Sequence, residues 1–375
     1  MIFRMFRIGL LVFLLLASAA HGAEWQPARR DYGWSFPQDH WARSGYRTEW
    51  WYFTGHLTSE EEPHRRFGYQ FTFFRVGLLS ELPDLQSGWA TTNVIMGHAA
   101  ISDLGTGRHL FSEVVYRTIP LLGGFGRYPD PVIAWSRAPA GTDGQWTLRW
   151  NGHAFDFSMR DEAQEISFQL TTRPAKPLVF QGPNGFSRKG DGPTAASQYY
   201  SFTRLLTEGT LSIDGERVRV RGESWMDKEF GTDQLGADQV GWDWFSLQLQ
   251  DGREIMLYFL RNERGEIDFA RGTLVSQEGE ARYLNPGEWS VRSTQTWKSP
   301  KTGTAYPSGW IVEIPGENLR IVIVPELADQ ENRSHLVKNL FYWEGAVRIE
   351  TAEGGRIGRG YVELVGYGTR SRPAI

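Results

Sequence analysis

No cysteine occurs among the 375 residues. That absence excludes disulfides, thiol nucleophiles, thiolate metal sites and a lipid-modified N-terminal cysteine together. Lys and Arg are scattered, the formal net charge is −4, and no basic cluster points to nucleic acid or to an anionic membrane surface. No two His stand at a metal-ligand spacing with a third acid nearby, so neither a metal nor a cofactor is expected. No Gly-x-Ser-x-Gly occurs and strand–helix alternation is absent, which removes the α/β-hydrolase class. Long amphipathic helices are also missing; a short helix is expected near residues 327–338.

What the chain has in excess is aromatic surface: 14% Phe, Trp and Tyr, with 16 Trp. Its length is too great for one ordinary core and suits two domains. Residues 1–23 read as a signal peptide, with Arg4 and Arg7 before the apolar stretch Ile8 to Leu16 and small residues Ala17 to Ala20 and Ala23 for cleavage. The apolar run is too short to remain as a membrane span. The expected location is therefore periplasmic or secreted. A Cys-free exported protein must be held by packing alone.

A repeat organises the remainder. Trp50, Tyr52, Phe53 and Leu57 match Trp242, Trp244, Phe245 and Leu249, and Phe73-Phe74-Arg75 matches Phe259-Leu260-Arg261. Trp146 and Gly152 then pair with Trp310 and Gly316, and Glu208-Gly209 with Glu344-Gly345. Collinear blocks imply two β domains of one kind. The expected division is 24–232 and 233–375, with Thr232–Val240 as linker.

Period-two alternation dominates. Glu49, Trp51, Phe53, Gly55 and Leu57 share one face, and Trp50, Tyr52, Thr54 and His56 the other. Trp242, Trp244, Ser246 and Gln248 alternate with Asp243, Phe245, Leu247 and Leu249 in the same way. Asp251-Gly252 marks a hairpin. Apolar groups on both faces mean either barrels with a lined interior or barrels whose outer faces pack on each other. Two Gly/Pro-rich loops, Pro120–Pro131 and Gln181–Thr194, belong at a mouth or a domain interface.

Candidate chemistry centres on Asp227-Lys228-Glu229, next to Trp225. An acid in apolar surroundings can hold a proton near neutral pH and deliver it to an alkene, and Trp faces can stabilise the cation that results. The plainer reading is that these charges pair with each other and fasten the linker. Glu49, beside Trp51, either lines a pocket or caps a barrel end by bonding backbone amides. Asp243, between Trp242 and Trp244, raises the same question. His98 in an apolar stretch is a candidate for acid/base work or for a buried, backbone-bonded role. His56 and His64 flank a turn and read as solvated. Tyr199-Tyr200 and the Trp stripes are core or cavity wall.

Glu49-Trp50-Trp51-Tyr52, Gly97 to Asp103, Gly222 to Gly231, Gly241 to Phe245, Tyr342 to Gly345 and Gly360 to Leu364 together resemble the AttH/carotenoid 1,2-hydratase family, often labelled as secreted hydrolases. The resemblance covers essentially the whole mature chain. It implies an all-β fold of two tandem lipocalin-like barrels with a pocket for an apolar ligand. The family includes relatives that hydrate a prenyl double bond and others that catalyse cycloadditions. In the hydratase branch the segment at Asp227–Phe230 looks like Asp-His-Asn-Trp, and a later strand carries Tyr-x-Asp. Here Lys228 replaces the His, Phe230 the Trp and Leu260 the Asp, while Asp227 and Tyr258 keep their types.

The expectations are these. Asp227, Glu229, Lys228, Tyr258 and His98 are the candidate catalytic residues. Glu49, Trp51, Trp225, Trp242, Asp243, Trp244 and Tyr199 are the candidate substrate contacts. The partner is a hydrophobic small molecule, an isoprenoid or lipid, taken either by a hydratase-type enzyme or by a non-catalytic periplasmic carrier that works beside an envelope transporter.

Overall fold

The computed structural model describes residues 24–82, 87–236 and 238–368; the leader expected at 1–23 lies outside the described residues. The first sheet contains β1 (Thr48–Ser59), β2 (Arg66–Gly77), β3 (Asn93–Asp103), β4 (Arg108–Arg117), β5 (Gly123–Phe125), β6 (Val132–Arg137) and β7 (Gln145–Trp150). It continues with β8 (Phe155–Asp161), β9 (Ile166–Pro174), β10 (Val179–Phe180), β11 (Phe186–Arg188), β12 (Ala196–Ile213) and β13 (Glu216–Gly231). The second sheet contains β14 (Gln239–Leu249), β15 (Glu254–Asn262), β16 (Ile267–Val275), β17 (Ala281–Leu284) and β18 (Ser290–Lys298). Its remaining strands are β19 (Ala305–Ile314), β20 (Leu319–Pro325), β21 (Glu331–Arg333), β22 (Phe341–Glu350) and β23 (Arg356–Val365).

The strand order is β4-β3-β2-β1-β13-β12-β9-β8-β7-β6-β5 in the first sheet and β17-β16-β15-β14-β23-β22-β20-β19-β18 in the second. Both sheets curl, and β4 returns against β5 and β6, so each forms a barrel-like body. The chain is thus all-β, with two lipocalin-like barrels in tandem. Equivalent strands occupy equivalent places: β1 and β14 each sit between the next strand in sequence and the last strand of their own sheet. The connection between the sheets runs over residues 232–238 and is slightly shorter than expected.

Alternation sorts each strand's side chains. Trp51, Phe53 and Leu57 of β1 point into the first barrel with Phe67, Tyr69, Phe71, Phe73, Trp146 and Phe157, all buried in one contiguous cluster. The second barrel is filled in the same way by Phe245, Leu247, Ile255, Leu257, Trp310, Ile323, Val362 and Leu364. The opposite faces form a third cluster between the barrels: Tyr52, Tyr199, Trp225, Trp244, Met256, Tyr258, Leu260, Ala346 and Tyr361. The apolar character of both faces therefore comes from barrel-on-barrel packing. Each barrel interior is occupied by side chains.

Two local expectations are corrected. No helix forms near 327–338. Glu331–Arg333 pairs as β21 with β22, and the Gln330 side chain bonds to the backbone of Leu327 and Ala346, so sheet and amide hydrogen bonds take the segment. His56 is not solvated. It is buried, and its Nε2 bonds the Gly360 carbonyl of the other barrel at 2.8 Å.

Candidate active site between the barrels

Residues directly opposite on neighbouring strands lie on one face. The register therefore writes a continuous row across the outer face of the first barrel: Ser201, Asp227, Tyr52, Thr72, His98 and Glu113, on β12, β13, β1, β2, β3 and β4. The row beside it carries Tyr199, Glu229, Trp50 and Phe74. The second barrel presents Trp244, Glu363 and Glu344 in one row, on β14, β23 and β22. Where these rows meet lies a cavity of about 100 Å³. Its walls include Trp50, Tyr52, Phe74, Leu235, Trp242, Trp244 and Leu260, and its polar lining includes Lys189, Tyr199, Asp227, Glu229, Tyr258 and Glu363.

Asp227 is buried and has no ion-pair partner among the described residues. Its Oδ2 accepts from Tyr199 Oη at 2.6 Å, and its Oδ1 accepts from Ser201 Oγ at 2.5 Å and from Trp225 Nε1 at 2.7 Å. Burial pushes the carboxyl up to about 7, against the pull of the three donors, and the nearby Glu229 adds to the rise. Tyr199 and Ser201 are rotors that can accept as well as donate, so both protonation states can be satisfied. Trp244 Nε1 donates to Tyr199 Oη at 3.1 Å and fixes that ring.

Glu229 is paired differently. Lys189 Nζ lies 2.7 Å from its Oε1, and Ser197 Oγ donates to the same atom. The ammonium also sits over the rings of Tyr258 and Tyr199, at 4.3 and 5.0 Å. Burial pulls the Lys189 ammonium down, but Glu229, with Tyr258 and Asp227, outweighs this and holds Lys189 above its ordinary value. Glu363, across the cavity, accepts from Trp242 Nε1 at 2.8 Å and is pushed up to about 7, first by burial and further by the charges of Asp227 and Glu229.

Of the residues singled out in the sequence, Asp227, Glu229, Tyr258, Tyr199, Trp242 and Trp244 line the cavity. Trp225 stands behind Asp227 as a hydrogen-bond donor. Alternation splits the Asp227-Lys228-Glu229 run. Lys228 points into the first barrel, where it pairs with Glu49 and lies 3.7 Å from the Trp51 ring. Lys228, Glu49 and Trp51 therefore do not reach the cavity. Arg75 Nε completes the cluster at 2.8 Å from Glu49. Burial pushes Glu49 up, yet the two cations outweigh it and hold the carboxyl low. Asp243 likewise lies inside the second barrel, bonded by Arg261 at 2.8 Å and by Tyr367. Arg75 and Arg261 are the two arginines the repeat aligns. Glu49 and Asp243 fasten the barrel interiors and make no cavity contact.

His98 lies between the barrels, outside the cavity lining. Its Nδ1 is 2.7 Å from Tyr342 Oη, and its Nε2 has no hydrogen-bond partner. Burial pulls it down to about 3, so the ring is neutral. A bonded Ser102–His109–Asn332 chain, at 2.8 Å for each link, also spans the barrels, but none of the three lines the cavity. A nucleophile needs room for a substrate, so this chain is a fastening. Sequence reasoning missed Lys189, Glu363, Trp50, Tyr52, Phe74, Leu235 and Leu260, together with Thr48 and Gln234, as lining residues. Glu363 carried a usable signal, since alternation in Tyr361-Val362-Glu363-Leu364 sets the carboxyl opposite two core residues, and Leu260 carried another, since it stands where the hydratase branch has the Asp of Tyr-x-Asp.

Fold and site together define a two-barrel, lipocalin-like protein with an acid-bearing, aromatic-walled cavity at the barrel junction. A search of curated proteins finds no match. The chain belongs to the AttH-like family, whose model matches residues 27–367. Among solved structures it is similar to an AttH-type protein of Nitrosomonas europaea, at 30% identity and TM-score 0.79, covering 92% of this chain and 99% of that one. It also shares its fold with kievitone hydratase from Nectria haematococca, at 16% identity and TM-score 0.64, covering 89% of this chain and 93% of that one.

Proposed function

We propose that this protein is a hydro-lyase, a hydratase or its reverse, acting on the alkene or tertiary-alcohol end of an apolar isoprenoid or lipid-like molecule. The observation that carries the reading is Asp227: a buried carboxyl without a cation partner, poised near neutrality on the wall of an aromatic cavity. In the hydration direction Asp227 gives its proton to the alkene carbon. The faces of Trp50, Trp242, Trp244 and Tyr258 stabilise the tertiary cation. Water adds to the cation, Glu363 takes the proton that water loses, and a proton taken up from solvent restores Asp227 for the next turnover. The Lys189 ammonium, held 2.7 Å from Glu229, lies over the rings of Tyr258 and Tyr199 and orients them.

The cavity is small against the roughly 300–1,000 Å³ usual for ligand sites. It suits a branched reacting end, with the rest of the substrate passing out beside half-buried Trp50, Gln234 and Leu235. Fold likeness to a hydratase and the acid together favour enzyme over carrier. The packed barrel interiors weaken the carrier reading, because the usual lipocalin calyx is occupied.

The test is mass spectrometry of the organic extract from the native protein and from Asp227→Asn, after incubation in ¹⁸O-water. A variant holding a molecule one water different from the wild-type one, with ¹⁸O entering only in the wild type, is expected. Identical extracts without ¹⁸O would mean a carrier and a structural Asp227.

A further inference from the structure

Two carboxyls meet between the barrels without a cation. Glu344 and Glu363 stand directly opposite each other on β22 and β23, on the same face, and neither forms an ion pair among the described residues. Lys189, the one cation among the lining residues, is bonded to Glu229 instead. By contrast Glu49, Asp243 and Glu254, equally buried, each have Lys or Arg partners. Like charges at cross-strand distance in an apolar interface cannot both ionise, so such a pair keeps a proton.

The groups around the pair form a chain. Asp227 and Glu229 of β13 face Glu363, and Trp242 Nε1 donates to it. Glu344 has Asn332 Nδ2 at 3.2 Å, and the hydroxyls of Tyr52 and Tyr342 lie beside it. Tyr342 Oη reaches His98 Nδ1 at 2.7 Å. Tyr52 Oη, Glu344 Oε1 and His98 Nε2 are all buried and lack a well-aligned hydrogen bond. Unpaired buried polar atoms are costly, and groups that give and take protons are a reason to keep them. The residue opposite His98 is buried Glu113, whose carboxylate accepts from Ser334 Oγ and from the backbone amides of His335 and Leu336.

We propose that Glu344 and Glu363 form a proton-sharing dyad that, through Tyr342 and His98, carries away the proton that water releases in the cavity. The proposal rests on the hydro-lyase reading for its purpose. Glu363 takes the proton and passes one to Glu344. Glu344 gives one to the Tyr342 oxygen, and that hydroxyl gives its own to Nδ1 of His98. The imidazole then gives up its Nε2–H, which no protein acceptor holds among the described residues, to a water molecule on the Glu113 side of the row. Every intermediate group gains one proton and loses one. The imidazole changes tautomer and stays neutral. Glu344, Tyr342 and His98 are positioning and transfer groups and touch no substrate.

The test uses the full-length protein with ¹³C-carboxyl Glu and ¹⁵N-His, titrated by NMR, with Glu344→Gln, Glu363→Gln and Tyr342→Phe. In the wild type the Glu344 and Glu363 resonances should each record both steps of a shared titration. Glu344→Gln should leave Glu363 with a single step. The His98 nitrogen shifts should follow the dyad in the wild type and stop following it in Tyr342→Phe. Independent single-step titrations, or His98 shifts blind to the dyad, overturn the proposal. Once a substrate is in hand, Glu344→Gln should lower kcat about tenfold or more at unchanged KM. Full kcat in that variant removes the relay and leaves Asp227's role standing. A joint titration with full turnover in Asp227→Asn does the reverse.

Discussion

Replacing Asp227 by Asn should make the protein more stable at neutral and alkaline pH while it sharply lowers turnover. In the folded chain the Asp227 carboxyl is raised from 3.8 to about 7, chiefly by burial. In the unfolded chain it returns to its ordinary value. A raised acid is one whose ionised form the fold disfavours. Its cost is absent below pH 3.8, grows between pH 3.8 and about 7, and is constant above. At about 1.4 kcal/mol for each pH unit of displacement, the plateau is on the order of 4 kcal/mol. Asn keeps the contacts. Its oxygen can accept from Ser201 and Trp225, and its amide can donate to a Tyr199 hydroxyl turned to accept. Urea unfolding followed by Trp fluorescence at pH 4, 6 and 8.5 should therefore show a gap between variant and wild type that is near zero, then intermediate, then about 4 kcal/mol in favour of Asn. A gap independent of pH, or a variant less stable at pH 8.5, would mean that Asp227 is an ordinary paired carboxylate. The acid reading would then fail without any substrate having been identified.

Other consequences can be read directly. Turnover that uses protonated Asp227 should fall as pH rises through about 7, measured as kcat/KM against pH. Asp227→Asn should lower it by about 10²–10⁴. Glu49→Gln leaves Lys228 and Arg75 buried without their carboxylate and should destabilise by about 3–5 kcal/mol in urea, although Glu49 lies outside the cavity. Trp242→Phe removes the N–H that favours ionised Glu363, so the Glu363 titration should move upward in a ¹³C experiment.

Much of the fold was legible because period two is a strong signal and the repeat doubled it. Trp50 and Trp242, and Arg75 and Arg261, do occupy equivalent places, opposite equivalent neighbours. The later blocks were matched less well. Trp146 lies on β7 and Trp310 on β19, which is one strand nearer the shared centre of its sheet. Gly345 stands opposite Val362, which pairs with Phe245; the matching place in the first sheet is Phe202, not Gly209. Trp and Gly recur in any β-barrel, so a sparse match cannot fix register. The site was legible in part. Asp227, Glu229 and Trp244 are legible from local composition, while Glu49 and Asp243 stay open between pocket wall and barrel-end cap, because a carboxylate beside Trp looks alike from either side of a strand. The parity of each strand decides it: Glu49 shares a face with Phe53, and Asp243 with Phe245, both core residues. Lys189 could not be found, because a loop residue has no period and reaches Glu229 only through the tertiary fold.

A site built from two outer faces should depend on residues that belong to neither core nor cavity. Gly68 on β2 tests this. A Cβ there would stand 2.7 Å from Cβ of Ala346 and 3.2 Å from Tyr361 Oη, both on the other barrel. Real side chains do not approach so closely, so Gly68→Val must push the barrels apart. Gly68 is four residues along β2 from Thr72, which lies in the Asp227–Tyr52 row, so the wedge enters about 13 Å from that row. Overpacking of this kind costs about 1–3 kcal/mol. The loss should fall on docking, since Phe67, Phe71 and the rest of the first core keep their neighbours. The expected result is a lower urea midpoint with strand circular dichroism unchanged, and a titration of Asp227 moved down toward ordinary carboxylates as water enters the widened junction. If Gly68→Val leaves the Asp227 titration where it was, the dry environment of the acid is supplied by its own barrel alone, and the junction is not what tunes it.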